Sequence, residues 1–192
     1  MIAVVDEAAP ADGAGIYYVV TAAIVLDEAA TTVALAGVLP RGRARPFHWA
    51  QEGPAARSRM LDLVEAQGLV AHVVVHHPTG RRRQEHARRA ALGELVPLAI
   101  GEGADELIIE SRTSREDARD RRALIDIVRD AGASLAYRWE DKREPLLWIA
   151  DAICGAVKEY LLGEDVTSFE RLRSAHVLGD LRYRRLPPSG YA

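Results

Sequence analysis

The sequence is poor in the features that mark secreted and membrane proteins. Its 192 residues include one cysteine, Cys154, which excludes an intrachain disulfide and is typical of the reducing cytoplasm. No apolar run approaches the ~18–20 residues that span a bilayer. The N-terminus also lacks a basic stretch followed by an apolar one, the pattern of a secretory signal. We therefore expect a cytoplasmic protein without a membrane segment.

Lysine is scarce as well. Lys142 and Lys158 are the two lysines, and all the other residues in the basic set of 25 are arginines. The planar guanidinium of arginine suits phosphate recognition, although an excess of alanine and arginine is also typical of a GC-rich bacterial genome. The net charge of −3 excludes a uniformly basic nucleic-acid binder, so a basic contact surface has to be local.

Several enzyme classes lack their sequence motif here. The chain contains no GxxxxGK[ST], GxGxxG, HExxH or GxSxG, the signatures of P-loop, dinucleotide-binding, zincin and serine-hydrolase sites. A composition that is 48% hydrophobic and 28% charged is typical of a globular protein with a substantial core. We expect one domain over residues 1–163 and a C-terminal tail of uncertain structure over 164–192.

The pattern of apolar residues predicts an α/β fold. We expect strands at 2–6, 16–26, 69–75, 105–110 and 134–139, and helices at 27–38, 54–67, 81–100, 115–131 and 145–162. The short, turn-like connection between the first two strands makes them antiparallel. The later alternation of strands and helices predicts parallel strands joined by crossover helices. The result is a mixed sheet with helices on both faces.

Three acidic residues stand where such a fold forms its sites. Asp6 and Glu110 each end an apolar strand, and the carboxyl ends of neighbouring parallel strands meet at one edge of a sheet. Asp151 lies within the apolar helical segment PLLWIADAICGAV, where an ionised carboxylate is costly to bury unless it is compensated. A metal ion would compensate it, and Gly155 would leave room for a close approach.

Carboxylate oxygens are the ligands that Mg²⁺ prefers. Asp6, Glu110 and Asp151 would suffice to hold Mg²⁺ or Mn²⁺ ions that activate water for phosphodiester cleavage. In a regular strand, Glu7 points to the face opposite to that of Asp6. It therefore joins the catalytic group only through a bulge or turn.

Four segments together resemble a known family. VVDE, FHW, LIIES and LLWIADAICGAV are similar to segments of a widespread group of bacterial proteins of ribonuclease H-like fold, a domain without an assigned function. In that group the first strand typically ends Asp-Glu-Ser-Gly, and the last helix carries Leu-Ala-Asp-x-x-x-Gly-Ala. The resemblance covers residues 2–162. It implies an RNase H-like fold, dependence on a divalent metal and action on nucleic-acid phosphodiesters.

The resemblance also assigns positions. Asp6 and Glu7 match the acids of the opening motif, Glu110 the acid of the later strand, and Asp151 the acid of the last helix. Ala8 and Ala9 replace the Ser-Gly of the family, a departure that affects the local turn more than the metal site. Glu110 stands where many members of the superfamily have aspartate, and it adds one methylene of reach.

Two further features are candidates for contact with substrate. His48, in the segment RPFHW, is a candidate proton shuttle or phosphate contact. The segment RRRQEHARR begins a predicted helix with a positive end, and phosphate contacts of that kind are independent of sequence and sensitive to salt. Its candidate nucleic-acid-binding residues are Arg81, Arg82, Arg83, Arg88 and Arg89.

These observations favour a metal-dependent nuclease that acts on RNA or DNA, with Asp6, Glu110 and Asp151 as ligands and Glu7 and His48 assisting. The alternative is a non-catalytic RNase H-like module that binds nucleic acid or a partner protein. Self-association through an apolar helix face, giving a homo-oligomer, also stays open.

Overall fold

The architecture was obtained as a computed structural model, which describes residues 1–8, 17–40, 42, 45–77 and 83–185. Strands and helices alternate along most of the chain. The strands are β1 (Ile2–Ala8), β2 (Tyr18–Val25), β3 (Val70–His77), β4 (Glu106–Glu110), β5 (Ala136–Glu140) and β6 (Leu178–Arg185). The helices are α1 (Glu28–Leu35), α2 (Pro54–Ala66), α3 (Gln84–Gly101), α4 (Ser114–Asp130), α5 (Leu147–Leu162) and α6 (Thr167–Ser174), with a short 3₁₀ helix, Trp49–Gln51, before α2.

The six strands form one mixed sheet in the order β5-β4-β1-β2-β3-β6. β1 is antiparallel to β2, and β2 is antiparallel to β3, so the predicted pairing of the first two strands is confirmed. β4 runs parallel to β1 and β5 parallel to β4, as the crossover rule predicts. The mixed sheet predicted from the sequence is therefore confirmed.

Two hydrophobic cores cover the two faces of the sheet. Ile2 and Val4 of β1 pack into a core with α1, α2, α5 and α6, on what we call the α5 face. Ala3 and Val5 point the other way, into a core with α3 and α4, on the α3 face. This alternation follows from the two-residue period of a strand. Helices lie on both faces, as predicted, and no helix in the described ranges is long and apolar enough to cross a membrane.

The division at residue 163 does not correspond to the observed structure. α6 and β6 lie beyond it, and β6 pairs in parallel with β3 as an edge strand of the same sheet. The domain therefore continues to at least residue 185. β6 is an edge strand, and its sequence, LGDLRYRR, is polar. It therefore lacks the apolar run by which buried strands are recognised. Residues 186–192 lie outside the described ranges.

The helix boundaries agree in part with the sequence patterns. Asp27 caps α1, since its side chain accepts a hydrogen bond from the backbone N–H of Ala30. The cap of α4 is Thr113, whose side chain accepts a hydrogen bond from the backbone N–H of Glu116. Pro97 does not end α3, which continues to Gly101. Gly163 follows α5 with a φ of 72°, a left-handed conformation that glycine adopts at low cost.

Gly155 has a packing role that differs from the predicted one. A Cβ atom built at this position would lie 2.3 Å from Cδ1 of Trp49, so the missing side chain makes room for an indole ring and not for an ion. The Arg57 guanidinium lies over the same ring, 4.6 Å from its centroid. The close approach of Trp49 fixes the 3₁₀ helix Trp49–Gln51 against α5.

We predict that Gly155→Ala destabilises the protein by about 1–3 kcal/mol, because the added methyl overpacks the contact with Trp49. Gly93→Ala is the matched control: Gly93 is an exposed helical glycine of α3 with no atom within 4 Å of the added Cβ. Gly93→Ala should stabilise the folded protein by roughly 0.5–1 kcal/mol, because alanine has a higher helix propensity than glycine. Urea unfolding measures both values. Equal changes in the two variants would contradict this account of Gly155.

Candidate functional site

Three of the predicted site acids lie on the same face of the sheet. β1 and β4 are parallel neighbours, with Val5 opposite Ile109, so Asp6 and Glu110 follow at adjacent strand ends. Val4 and Ile108 belong to the core of the α5 face, and residues two positions later point to that same face. α5 packs over this face and carries Asp151.

An ammonium group lies between these acids. Nζ of Lys142 lies 2.6 Å from Oδ1 of Asp151, 3.2 Å from Oδ2 of Asp6 and 3.5 Å from Oε1 of Glu110. Lys142 comes from the segment between β5 and α5. We call Asp6, Glu110, Asp151 and Lys142 the carboxylate cluster. Its three acids are brought together as predicted, whereas the lysine was not among the predicted site residues.

Asp151 uses both oxygens of its carboxylate. Oδ1 lies 2.9 Å from Nδ1 of His48, and Oδ2 accepts the backbone N–H of Trp49 at 2.6 Å. Burial raises the pKa of Asp151, but the hydrogen bond with His48 and the charge of Lys142 outweigh it and hold the pKa below its usual value. The predicted site residue His48 therefore lies beside an ionised carboxylate that orients its ring.

The pKa of Asp6 is shifted in the opposite direction to that of Asp151. Its side chain is completely buried, and its Oδ1 accepts the backbone N–H of Glu7 at 2.6 Å. Burial raises the pKa of Asp6 well above its usual value, and a hydrogen bond with Glu110 raises it further, against the lowering effect of Lys142. Two close carboxylates resist ionising together. The pKa values of the two aspartates are therefore shifted in opposite directions, upward for Asp6 and downward for Asp151.

Glu7 takes part in a second polar network. Its carboxylate accepts the hydroxyl of Tyr18 at 2.5 Å and is also paired with Arg88. Arg88 is 1% exposed and donates to Asp120 of α4 at 2.8 Å. β1 is regular through Ala8, so no bulge turns Glu7 toward the carboxylate cluster. These ion pairs attach α3 and α4 to the end of β1.

The burial of Arg88 corrects its predicted role, because a guanidinium enclosed between two carboxylates does not contact a phosphate backbone. Of the other four arginines, Arg81 and Arg82 lie outside the described residues, and Arg83 immediately precedes α3. Arg89 is exposed. Together with Arg119 and Arg122 it lines a cleft of about 360 Å³ between α3 and α4, which acidic side chains also line.

The donor set of the cluster suits a hard divalent cation. Within the described ranges, no group of three or more His, Cys, Asp or Glu side chains is placed so that it could hold a metal ion. The three carboxylates instead surround the ammonium of Lys142, all within 3.5 Å of its nitrogen. Carboxylate oxygens are the ligands that Mg²⁺ takes, so the donor type matches the metal that the sequence predicts.

The distribution of lysine is a signal that sequence reasoning missed. The chain has two lysines among 25 basic residues, and both lie at this site. Lys142 is in the carboxylate cluster, and Lys158 lines an adjacent cleft of about 260 Å³ with His48, Asp151 and Gly155. An ammonium is a compact charge on a flexible stem, and Lys142 places one between the three carboxylates.

Comparison with known proteins supports the fold. No protein-family model matches the sequence, and no curated protein matches it. Among solved structures, the chain is similar to an RNase HII from Archaeoglobus fulgidus, described in its complex with PCNA. The TM-score is 0.50 and the identity 18%, over 91% of this chain and 76% of that chain. The mixed sheet with helices on both faces is thus an RNase H-like fold, as the sequence motifs predict.

We predict that Asp6→Asn becomes increasingly stable relative to the wild type as pH rises from 4.5 to 8. In the unfolded chain, Asp6 ionises near pH 3.9. In the folded chain, Asp6 ionises at a higher pH because its pKa is raised. The wild type therefore loses stability across this range, and asparagine removes that loss. Urea unfolding at several pH values measures the difference.

Asp130→Asn serves as the control for this series, because the Asp130 side chain is 73% exposed at the far end of α4. Its stability relative to the wild type should not change with pH. A constant difference for Asp6→Asn, or one that turns against the variant at high pH, would contradict a raised pKa for Asp6.

Proposed function

We propose that this protein is a metal-dependent nuclease that hydrolyses phosphodiester bonds of RNA or DNA. The observation that carries the proposal is the convergence of Asp6, Glu110 and Asp151, from β1, β4 and α5, on a single positive charge. These acids would hold Mg²⁺ or Mn²⁺. When bound, such ions activate water and neutralise the charge that develops on the leaving oxygen.

The chain's own residues supply proton transfer at this site. Asp151 stays ionised because its pKa is held low, and it orients the imidazole of His48 through Nδ1. A histidine held in this way by a carboxylate is an effective general acid or base. The His48 side chain is 38% exposed, and Nε2 makes no hydrogen bond in the described part of the chain. That nitrogen is available to a substrate oxygen.

The cleft between α3 and α4 is the proposed contact for the nucleic-acid backbone. α3 begins at the same end of the sheet as the carboxylate cluster, since Arg88 in its first turns reaches Glu7. The exposed Arg89, one position further along, would pair with phosphate in a salt-dependent manner. The similarity to an RNase HII supports nucleic acid as the substrate class.

One observation favours a second function, a non-catalytic RNase H-like module that binds nucleic acid or a partner protein. The Lys142 ammonium already offsets part of the negative charge of the carboxylates, so the chain itself supplies a cation to the cluster. The RNase HII neighbour is described in complex with PCNA, which supports a protein partner in this alternative. Calorimetric titration with Mn²⁺ separates the two functions, because the module would bind no ion at millimolar concentration.

We predict that Asp151→Asn lowers metal-dependent cleavage of a mixed RNA and DNA substrate set by about 10²-fold or more, since the variant loses a charged ligand and the group that orients His48. Cleavage of labelled oligonucleotides with Mg²⁺ or Mn²⁺ measures the rate. Asp130→Asn, the same change at the exposed end of α4, should cleave like the wild type. Full activity of Asp151→Asn would refute the assigned site.

We predict that Arg89→Ala weakens nucleic-acid binding and lowers the slope of log affinity against log salt by about 1, as expected when one phosphate contact is lost. Fluorescence anisotropy with a labelled oligonucleotide, without divalent ions, measures both quantities. Arg129→Ala is the control, because Arg129 is 67% exposed near the opposite end of α4. An unchanged slope for Arg89→Ala, or an equal change in both variants, would exclude this cleft as the contact.

A further inference from the structure

The Lys142 ammonium lies between the three acids that the proposed function assigns to a divalent ion. Its ammonium contacts one oxygen of each acid in the carboxylate cluster, and it also lies 3.5 Å from Nδ1 of His48. An ion that bound the same three carboxylates would share these oxygens. A divalent ion and an ammonium cannot both occupy this space, because two cations so close repel each other strongly away from bulk water.

The residue type fits an exchangeable cation. An ammonium is a compact point charge on a flexible stem of four carbons, whereas a guanidinium is a planar fork. Every basic residue of the chain other than Lys142 and Lys158 is arginine, yet lysine stands at the centre of the carboxylate cluster. The ammonium is small enough to occupy a site that an ion would occupy. The flexible aliphatic chain of the lysine allows the ammonium to move out of that site.

The surroundings of Lys142 allow the side chain to move while its backbone stays in place. The indole Nε1 of Trp148, on α5, donates to the backbone carbonyl of Lys142 at 2.7 Å. This hydrogen bond attaches the segment between β5 and α5 to the helix. The Lys142 side chain is 22% exposed, so a rotation of the stem takes the ammonium toward solvent without a change in the fold.

We infer that the Lys142 ammonium and a divalent cation are alternative occupants of the carboxylate cluster, so that metal binds only when the lysine leaves. This inference rests on the metal site of the proposed function and adds a residue that sets its affinity. With the lysine in place, its ammonium offsets part of the negative charge of the three acids. With the lysine displaced, the oxygens of Asp6, Glu110 and Asp151 would be free to hold the ion.

The test is calorimetric titration of Mn²⁺ into the wild type, Lys142→Gln, Arg129→Gln and Asp151→Asn. Lys142→Gln should bind Mn²⁺ about tenfold or more tightly than the wild type, because it removes the competing ammonium. Arg129→Gln, which removes one positive charge at an exposed position near the end of α4, should bind like the wild type. Circular dichroism shows whether each variant is folded.

The outcomes separate this inference from the proposed function. If Asp151→Asn abolishes Mn²⁺ binding but Lys142→Gln binds no more tightly than the wild type, the competition is refuted and the metal site stands. If no form of the protein, Lys142→Gln included, binds Mn²⁺ at millimolar concentration, both are refuted.

A second measurement uses the wild type and does not depend on how a variant folds. Because the chain has two lysines, protein labelled with ¹³C at lysine Cε should give two side-chain signals. Saturation with Mg²⁺ should move the Lys142 signal to the position of a solvent-exposed lysine and leave the Lys158 signal in place. A Lys142 signal that does not move at saturating Mg²⁺ would overturn the inference.

Discussion

The structure depends on how the negative charge of three converging acids is neutralised. The parallel pairing of β1 and β4 places Asp6 and Glu110 at adjacent strand ends. The packing of α5 over the same face of the sheet brings Asp151 next to them. Buried carboxylates without a partner cost several kcal/mol each. The Lys142 ammonium supplies an opposing charge, and burial together with the hydrogen bond to Glu110 raises the pKa of Asp6. The folded state and the proposed chemistry therefore share one electrostatic constraint.

The same constraint organises the elements around the cluster. Asp151 attaches the His48–Trp49 segment to α5 through two hydrogen bonds, and Gly155 admits the Trp49 ring at the same helix. On the other face of the sheet, Glu7 and Arg88 form a second buried ion pair one residue from Asp6. Charged contacts thus hold the end of β1 from both faces, and this rigidity is what positions Asp6 against its neighbours.

The sequence predicted what short-range patterns determine. Apolar strands that end in acids, together with the crossover rule, were enough to place Asp6 and Glu110 side by side. Lys142 was not predicted, because it reaches the cluster from a polar segment in which nothing local marks it. Arg88 was assigned to the surface because its burial depends on Glu7, 81 residues away. β6 was missed because an edge strand carries a polar sequence.

The central claim is that one position, between the side chains of Asp6, Glu110 and Asp151, accepts either an ammonium or a divalent ion. Crystals grown without metal and then soaked in Mn²⁺ test it directly, since anomalous scattering locates manganese. The account predicts a manganese peak bonded to carboxylate oxygens of all three residues, with the Lys142 ammonium moved out of the cluster. An ammonium still seated between the carboxylates, with manganese absent or bound elsewhere, would contradict it.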